Sequence, residues 1–360
     1  MHETTRHPLL AWASAVLAVS GSPVSGVEEA VFGPLSISDT DGVDGWLDQG
    51  LHRHLGVGLA QVLFRSGRVC AVYGCRLHDG QQVAVKVHRQ GADTEHLAAA
   101  VQAQQHLANA GYPCPRPLAG PVVVEGRTLV AETMLTGGRW RDAREPEVRR
   151  ALAASLAEQV EVLRSVPASP LRPGAPAWVR YEHGPWPAPH DPIFDFSSTP
   201  DGYAWLDDLA ARAAAVLNDC PGPDVIGHSD WYRGNALFVD GTNGSTQGPV
   251  VCAGFDWDSL AARPEAVIAG MSAGSHTLGG AGEGAAPTPG QVAAFVDDYD
   301  SARFQAFTAA ERAGAAAAAC WALAYNARCE LSVMSLEDAS APGTPLHVLT
   351  EHRDAYLGLT

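Results

Sequence analysis

Three polar residues in the second half of the chain have the types and spacing that phosphoryl transfer requires. Residues 226–239 read IGHSDWYRGNALFV and contain the pattern H-x-D-x-x-x-x-N, which includes Asp230 and Asn235. Residues 251–260 read VCAGFDWDSL and place Asp256 at the end of an apolar run. One carboxylate can accept the proton of an attacking hydroxyl group. A second carboxylate and an amide oxygen are hard ligands that suit Mg²⁺.

A single lysine lies earlier in the chain. Of the 24 Lys and Arg residues, only Lys86 is a lysine. It lies in the run Val83–His88, whose β-branched residues are typical of a strand. An ammonium is a compact point charge, unlike a planar guanidinium, and kinases use a strand lysine to hold the phosphates of ATP. Chance is the competing explanation, because an Ala-, Gly- and Arg-rich composition depletes lysine generally.

Lys86, the pattern H-x-D-x-x-x-x-N and Asp256 follow one another along the chain in that order. In residue type and order they resemble the motifs of the aminoglycoside phosphotransferase and choline kinase superfamily, small-molecule kinases with the protein kinase fold. The resemblance covers roughly residues 55–335 and includes GYPCPRPL at 111–118. It implies an α+β, two-lobed fold with a small antiparallel-sheet N-lobe and a larger, mainly helical C-lobe. We expect an N-terminal helix and connector over 1–50, a nucleotide-binding N-lobe over 51–137, and a catalytic and substrate-binding C-lobe over 138–360.

The resemblance also implies an enzyme that transfers a phosphoryl group from ATP to a small-molecule hydroxyl group, with Mg²⁺ as cofactor. Asp230 is then the catalytic base, Asn235 and Asp256 are the magnesium ligands, and Lys86 is the phosphate anchor. Arg233 either offsets negative charge on the transferred phosphoryl group or forms a salt bridge within the loop.

The remaining nucleotide-binding candidates are Ser66, Gly67, Arg68, Glu132 and Met134. The segment expected to cover the phosphates lacks the pattern G-x-G-x-x-G, so Ser66 or Arg68 is a candidate to replace backbone amides. Arg68 is equally well explained as an exposed charge at a strand end. By the resemblance, Glu132 and Met134 precede the connection between the lobes, whose backbone would meet adenine.

One departure from the family concerns the N-lobe helix, which usually carries a glutamate that pairs with the strand lysine. That position falls near Ala100 or Gln102, and Glu95 is the candidate from a shifted register because it shares a helical face with Gln102. A pseudokinase-like protein that binds a nucleotide or ligand is therefore the alternative function. A hydrolase with a metal on His228 and Asp230 is a third, although no second histidine lies at ligand spacing.

Composition limits the partners. The net charge of −16 argues against nucleic acid. Residues 181–260 hold twelve acidic residues against two arginines, so an acidic wall there would attract a cationic acceptor such as an aminoglycoside. The alternative is that the acidic excess only keeps the protein soluble. Seven cysteines without a C-x-x-C pair favour a reducing cytoplasm over disulfides or zinc.

The apolar stretch Leu9–Val19 is too short to span a bilayer as a helix, so we expect no membrane partner. We interpret Pro8–Val19 as a helix on the N-lobe and Gly21–Asp44 as a connector. Periodicity predicts strands over Val62–Leu77, Val83–His88, Pro121–Val124 and Arg127–Met134. It predicts helices over Thr94–Ala110, Pro146–Val166, Ala204–Leu217, Val292–Thr308 and Ala309–Met334. Irregular loops are expected over the proline-rich residues 167–200 and over Gly274–Gly290.

Overall fold

The computed structural model describes residues 31–359 except 36, 38, 68, 173, 183, 185, 242–247 and 280–283. The predicted helix Pro8–Val19, much of the predicted connector, and Arg68 therefore lie outside the described residues. The chain divides into two compact units, one ending at Arg139 with residues 279–283 added, the other comprising Trp140–Leu278 and Gly284–Thr360.

The first unit is built on a five-stranded antiparallel sheet with strand order β1-β2-β3-β5-β4. Its strands are β1 (Leu59–Gly67), β2 (Ala71–Leu77), β3 (Gln82–His88), β4 (Pro117–Val124) and β5 (Arg127–Thr133). Among its described residues, the two long helices are α1 (Thr40–Leu55) and α2 (Thr94–Asn109). The small antiparallel-sheet lobe predicted from the sequence is thereby confirmed.

Alternation along β3 decides which face of the sheet Lys86 occupies. Val83, Val85 and Val87 are fully buried and pack in one cluster with the α1 residue Leu47. Because successive side chains of a strand point to opposite faces, Lys86 lies on the face opposite α1. The apolar core of this unit and its lone lysine are therefore separated by the sheet itself.

The prediction of a connector up to Asp44 was wrong from Thr40 onward, where α1 begins. Asp39 caps the helix by accepting a hydrogen bond from the amide of Gly42 at 2.7 Å. Val43, Trp46 and Leu47 follow at helical spacing and are buried. The glycines at the start of the helix suggested a loop, whereas the apolar spacing was the better signal. The boundary expected at residue 50 falls inside α1.

The prediction of one strand over Val62–Leu77 was also wrong, because the chain turns back between Gly67 and Ala71. Gly67 has a φ of 139°, and a Cβ there would lie 2.0 Å from the carbonyl oxygen of Cys70. Only glycine fits such a close approach of backbone to backbone. The turn therefore separates β1 from β2.

The second unit is mainly helical, as predicted. Its helices are α3 (Pro146–Leu163), α4 (Ala204–Asn218), α5 (Glu265–Ser275), α6 (Pro289–Ala302), α7 (Ala309–Val333), α8 (Leu336–Ala339) and α9 (Pro345–His352). Two antiparallel strand pairs complete it, β6 (Asp224–His228) with β9 (Leu260–Pro264), and β7 (Ala236–Gly241) with β8 (Gly248–Gly254). The described residues of 167–200, which leave out 173, 183 and 185, are irregular apart from two short 3₁₀ turns, Ser169–Leu171 and Ala177–Val179.

Helices α5 and α7 approach closely through small residues. A Cβ on Gly270 would lie 2.2 Å from the carbonyl oxygen of Ala315, and one on Gly274 would lie 2.5 Å from that of Ala319. The loop predicted to begin at Gly274 therefore begins after Ser275, because these glycines serve helix packing rather than a turn. No helix among the described residues is both long and apolar enough to cross a bilayer.

Candidate active site

The loop between β6 and β7 carries the H-x-D-x-x-x-x-N pattern, and His228 anchors its start. His228 is fully buried at the end of β6. Its Nε2 lies 2.9 Å from the carbonyl oxygen of Phe255, and its Nδ1 accepts the amide hydrogen of Asp230 at 3.2 Å. Since one nitrogen faces an acceptor and the other a donor, the ring is neutral with its hydrogen on Nε2. The imidazole thus holds the loop in place.

Asn235 fixes Asp230 from the other end of the loop. Its Nδ2 donates to the backbone oxygen of Asp230 at 2.8 Å and lies 3.4 Å from the Asp230 Oδ2 atom. With the nitrogen committed to Asp230, the amide oxygen on the other branch is the atom that could coordinate a cation. The backbone oxygen of Asn235 also accepts the amide hydrogen of Phe255 at 2.9 Å.

Asp256 follows β8 in a conformation that is uncommon for a residue other than glycine. Its φ and ψ are 67° and 44°, the left-handed region. The hydroxyl of Ser259 donates to its Oδ2 at 2.9 Å, and the amide of Ser259 donates to its backbone oxygen at 3.0 Å. Backbone conformations of this kind cost free energy and cluster at functional sites.

Phe255 joins these residues into one constellation. Its amide is bound to Asn235 and its carbonyl group to His228, so both sides of its backbone are held immediately before Asp256. These hydrogen bonds connect the chain segments that carry Asp230, Asn235 and Asp256. A carboxylate and an amide oxygen on adjacent chain segments form a hard-oxygen donor set that fits a divalent cation.

Buried aromatic residues support the loop from below. Trp231 is fully buried, and its Nε1 donates to the backbone oxygen of Leu152 at 3.0 Å. Its ring lies 6.2 Å from that of Trp257 and 5.3 Å from that of His228. Gly254 lies against both indoles, because a Cβ there would be 2.7 Å from Trp231. The rings of His228, Trp231 and Trp257 therefore form one packed layer, called the aromatic floor below.

Helix α5 supports the same loop from its C-terminal end. The hydroxyl of Ser272 donates to the backbone oxygen of Trp231, and the amide of Arg233 donates to the backbone oxygen of His276 at 3.3 Å. Burial lowers the pKa of His276 to about 4, so its imidazole is neutral near pH 7. Its Nδ1 donates to the backbone oxygen of Ala273, whereas its buried Nε2 has no hydrogen-bond partner.

Arg233 has an acidic partner, but one outside the loop. Its guanidinium lies 3.7 Å from the Oδ1 atom of Asp142. Hydrogen bonds from Arg144 lower the pKa of Asp142, and the charge of Arg233 adds to this effect. The partner of Arg233 therefore differs from the salt bridge within the loop that the sequence left open, and the catalytic role of Arg233 stays a prediction.

The first unit places two of the predicted nucleotide-binding residues, Ser66 and Lys86, on one face of its sheet. Ser66 pairs with Val72 and Val72 with Lys86, so the three side chains share a face. Lys86 is half-buried, whereas Ser66 is buried and its hydroxyl has no hydrogen-bond partner. Gly67 lies at the turn that follows. The amide of Met134 donates to the backbone oxygen of Gln82 at 3.3 Å and extends the strand pairing.

Sequence reasoning missed three polar partners. Gln104 donates to the Glu132 carboxylate at 2.7 Å, and Trp178 donates from Nε1 to the Ser229 hydroxyl at 3.0 Å, beside Asp230. These pairs are 28 and 51 residues apart in sequence, so no local pattern reveals them. Ser259, in contrast, lies three residues after Asp256, a spacing at which a hydroxyl commonly bonds an aspartate in a turn.

Comparison with known families identifies the class of protein to which this chain belongs. The sequence profile of the Phosphotransferase enzyme family matches residues 64–264, more than half of the chain, so the chain belongs to this family. The matched range includes Lys86 as well as Asp230, Asn235 and Asp256. The resemblance inferred from the motifs is confirmed.

Solved structures support the fold. An amicoumacin kinase in complex with AMP-PNP, Ca²⁺ and Ami has a TM-score of 0.58 at 12% identity, covering 88% of this chain and 96% of that one. A microcompartment-associated aminopropanol kinase has a TM-score of 0.51 at 16% identity, with coverages of 84% and 93%. A Plasmodium vivax ethanolamine kinase has a TM-score of 0.51 at 10% identity, with 96% of each chain covered. No curated protein sequence matches the chain.

Proposed function

We propose that the protein transfers the γ-phosphoryl group of ATP to a hydroxyl group of a small molecule, with Mg²⁺ as cofactor. The observation that carries the proposal is the double hydrogen bonding of Phe255, which sets Asp256 beside Asn235 and the Asp230 loop. Neither ligand residue depends on a mobile surface loop, since both adjoin the paired strands β7 and β8.

Asp230 accepts the proton of the acceptor hydroxyl group and orients its oxygen. Its backbone is held by His228 at the amide and by Asn235 at the carbonyl group, so its carboxylate is presented from a fixed position. Such preorganisation matters because phosphoryl transfer asks mainly for positioning and charge stabilisation. Arg233 is the cation of the same loop, and its charge opposes the negative charge that accumulates on the transferred group.

Asn235 and Asp256 would hold the divalent cation. When bound, this cation would neutralise part of the negative charge of the phosphates. The hydrogen bond from Ser259 fixes one carboxylate oxygen of Asp256, so the orientation of the other oxygen is also set. In the first unit, Lys86 binds phosphate oxygens, and Ser66 and Gly67 contribute at the end of β1. Arg68, which lies outside the described residues, is the remaining candidate for phosphate binding. Glu132 and Met134 complete the proposed nucleotide-binding set.

The acceptor we propose is cationic. The acidic excess of residues 181–260 would raise the local concentration of an amine-bearing substrate. Trp178 and His190 are half-buried, with ring centroids 5.4 Å apart, and Trp178 bonds the residue preceding Asp230. Aromatic faces attract ammonium groups. The proposed location is the cytoplasm, where ATP is present, and no disulfide links the seven cysteines, all of which are described.

The test is ATP-dependent phosphorylation of a panel of amino alcohols, aminoglycosides and neutral hydroxyl compounds, by the wild type and by Asp230→Asn. We expect transfer to a cationic compound, and a loss of 10²- to 10⁴-fold in kcat with Asp230→Asn, the usual contribution of general base catalysis. Glu158→Gln, a change of an exposed acid on α3 that lies in the same unit but outside residues 181–260, is the matched control and should leave kcat unchanged. Full activity of Asp230→Asn would exclude Asp230 as the base.

A further inference from the structure

Helix α2 offers no carboxylate to the sheet. Its buried positions are His96, Leu97, Ala100, Ala103, Gln104 and Leu107. Glu95, the candidate from the sequence, is exposed in the first turn and lies nine residues before Gln104, which places it on the opposite side of the helix. Gln102 is exposed as well. The acid expected on this helix is therefore absent from its buried side.

A buried acid lies instead on the sheet. Glu132, on β5, has only 7% of its surface exposed. Its Oε2 accepts a hydrogen bond from Nε2 of Gln104 at 2.7 Å, and the same nitrogen donates to the backbone oxygen of Pro115 at 2.9 Å. Both hydrogens of the Gln104 amide are thus used, and one of them fixes the carboxylate.

Strand register places this carboxylate next to the lone lysine. In the β3–β5 pairing, Ala84 lies opposite Glu132 and Lys86 opposite Val130. Residues directly opposite share a face, so Lys86 and Glu132 are diagonal neighbours on one face, within reach of two long side chains. The nearby Arg116 is bonded elsewhere, to Asn109 Oδ1 at 2.7 Å and to the backbone oxygen of Ala108 at 3.3 Å.

We propose that Glu132 is the positioning residue for Lys86, with Gln104 orienting its carboxylate, so that the acidic partner of the lysine has moved from the helix to the sheet. A buried carboxylate is costly unless it is both hydrogen-bonded and paired with a positive charge. Gln104 is neutral and supplies only the hydrogen bond. Lys86 supplies the charge, and in return the pair holds the ammonium in one place, which an unpaired flexible lysine would not achieve.

The single lysine allows a direct test that needs no nucleotide. Trace acylation with acetic anhydride, followed by mass spectrometry, gives the rate at which the Lys86 amine reacts, with the chain's α-amino group as internal standard. Loss of a neighbouring negative charge shifts a lysine toward its neutral, reactive form, and one pH unit corresponds to about tenfold. We expect Lys86 of Glu132→Gln to react about tenfold faster at pH 8.

Glu132→Gln keeps the shape of the side chain and an acceptor for Gln104, so the fold should persist, as a circular dichroism spectrum would verify. The acylation rate of Lys86 is measured from pH 7 to 10. Loss of an ion pair would shift the midpoint of the plot of rate against pH, whereas greater accessibility of the amine would multiply the rate by the same factor at every pH. Glu95→Gln is the matched control and should react like the wild type. An unmoved midpoint in Glu132→Gln, or an equal shift in Glu95→Gln, would overturn the inference.

The role of the pair in binding ATP rests on the proposed function. The acylation test does not, because it needs no nucleotide. If the wild type fails to bind Mg·ATP while the acylation profile shifts as expected, only the proposed function fails. If Mg·ATP binds and the profile does not move, only the pairing of Lys86 with Glu132 fails. In an active enzyme we further expect Glu132→Gln to raise the KM for ATP, with no change in the KM for the acceptor.

Discussion

Replacing Gly254 by alanine tests whether the aromatic floor positions the site. The added methyl group would lie 2.7 Å from Cη2 and 3.0 Å from Cζ3 of Trp231, and 3.1 Å from Cζ2 of Trp257. Carbon atoms in contact prefer about 3.5–4.0 Å, so the methyl group overlaps two buried rings. Trp231 is tied to the backbone oxygen of Leu152, and Trp257 to that of Gly254 itself, so neither ring can move away without losing a hydrogen bond.

Overpacking of a buried core costs about 1–3 kcal/mol. For a unit of this size, 1 kcal/mol corresponds to roughly 2–4 °C in Tm, so Gly254→Ala should unfold several degrees below the wild type. Asp256 lies two residues further on, and displacement of the β8 end should also weaken binding of Mg·ATP. The assay is thermal unfolding followed by circular dichroism, with calorimetric titration of Mg·ATP at a temperature where both proteins are folded.

Gly45→Ala is the control, because Gly45 is exposed within α1 and a Cβ there meets no atom within 4 Å. Alanine stabilises such a helix position by about 1 kcal/mol, so this variant should not unfold below the wild type. A wild-type Tm and wild-type Mg·ATP affinity for Gly254→Ala would refute the claim that the indoles hold this strand end.

Two further predictions concern residues around the site. Burial lowers the pKa of His276 from 6.5 to about 4, so the unfolded chain takes up a proton there before the folded protein does. This group therefore reduces the free energy of unfolding as pH falls from 6.5, by about 1.4 kcal/mol per pH unit until about pH 4. Urea unfolding of His276→Phe should show a correspondingly flatter pH dependence, and equal slopes in both proteins would contradict this. Ser259→Ala removes a partly buried hydrogen bond to Asp256 worth about 1 kcal/mol, so Mg·ATP should bind about fivefold more weakly by calorimetry. Ser332→Ala, which removes a hydroxyl bonded to Cys329 in α7, should bind as the wild type does; equal weakening by both changes would argue against a specific role of Ser259.

Much of the fold could be predicted because its signals are local. The period of apolar residues gave α2, α3, α4 and α7 to within a few residues of their ends. Glycine was the main source of error, since it breaks helices in some settings and permits close packing in others. The sequence predicts that a loop begins at Gly274, whereas this glycine lets α5 approach the backbone of α7. Only the neighbouring helix distinguishes the two roles.

The candidate catalytic loop was likewise predictable only where its signals are local. The order of His228, Asp230, Asn235 and Asp256 was readable because the motif is contiguous or nearly so. The hydrogen bonds of Phe255 to Asn235 and His228 depend on the pairing of β7 with β8, which spacing alone does not give. The buried pair of Gln104 and Glu132 depends on a helix packing against a distant strand. Polar partners that are far apart in sequence therefore could not be predicted from the sequence.

The most direct test of the central claim is calorimetric titration of Mg·ATP into the wild type and Asp256→Ala, with Asp201→Ala as the control for loss of an acidic residue in the same unit. The account predicts magnesium-dependent binding by the wild type and the control, and loss of that binding in Asp256→Ala. Equal affinity of Asp256→Ala and the wild type, or no binding of Mg·ATP to the wild type, would contradict the assignment of this site as the metal–nucleotide site of a kinase.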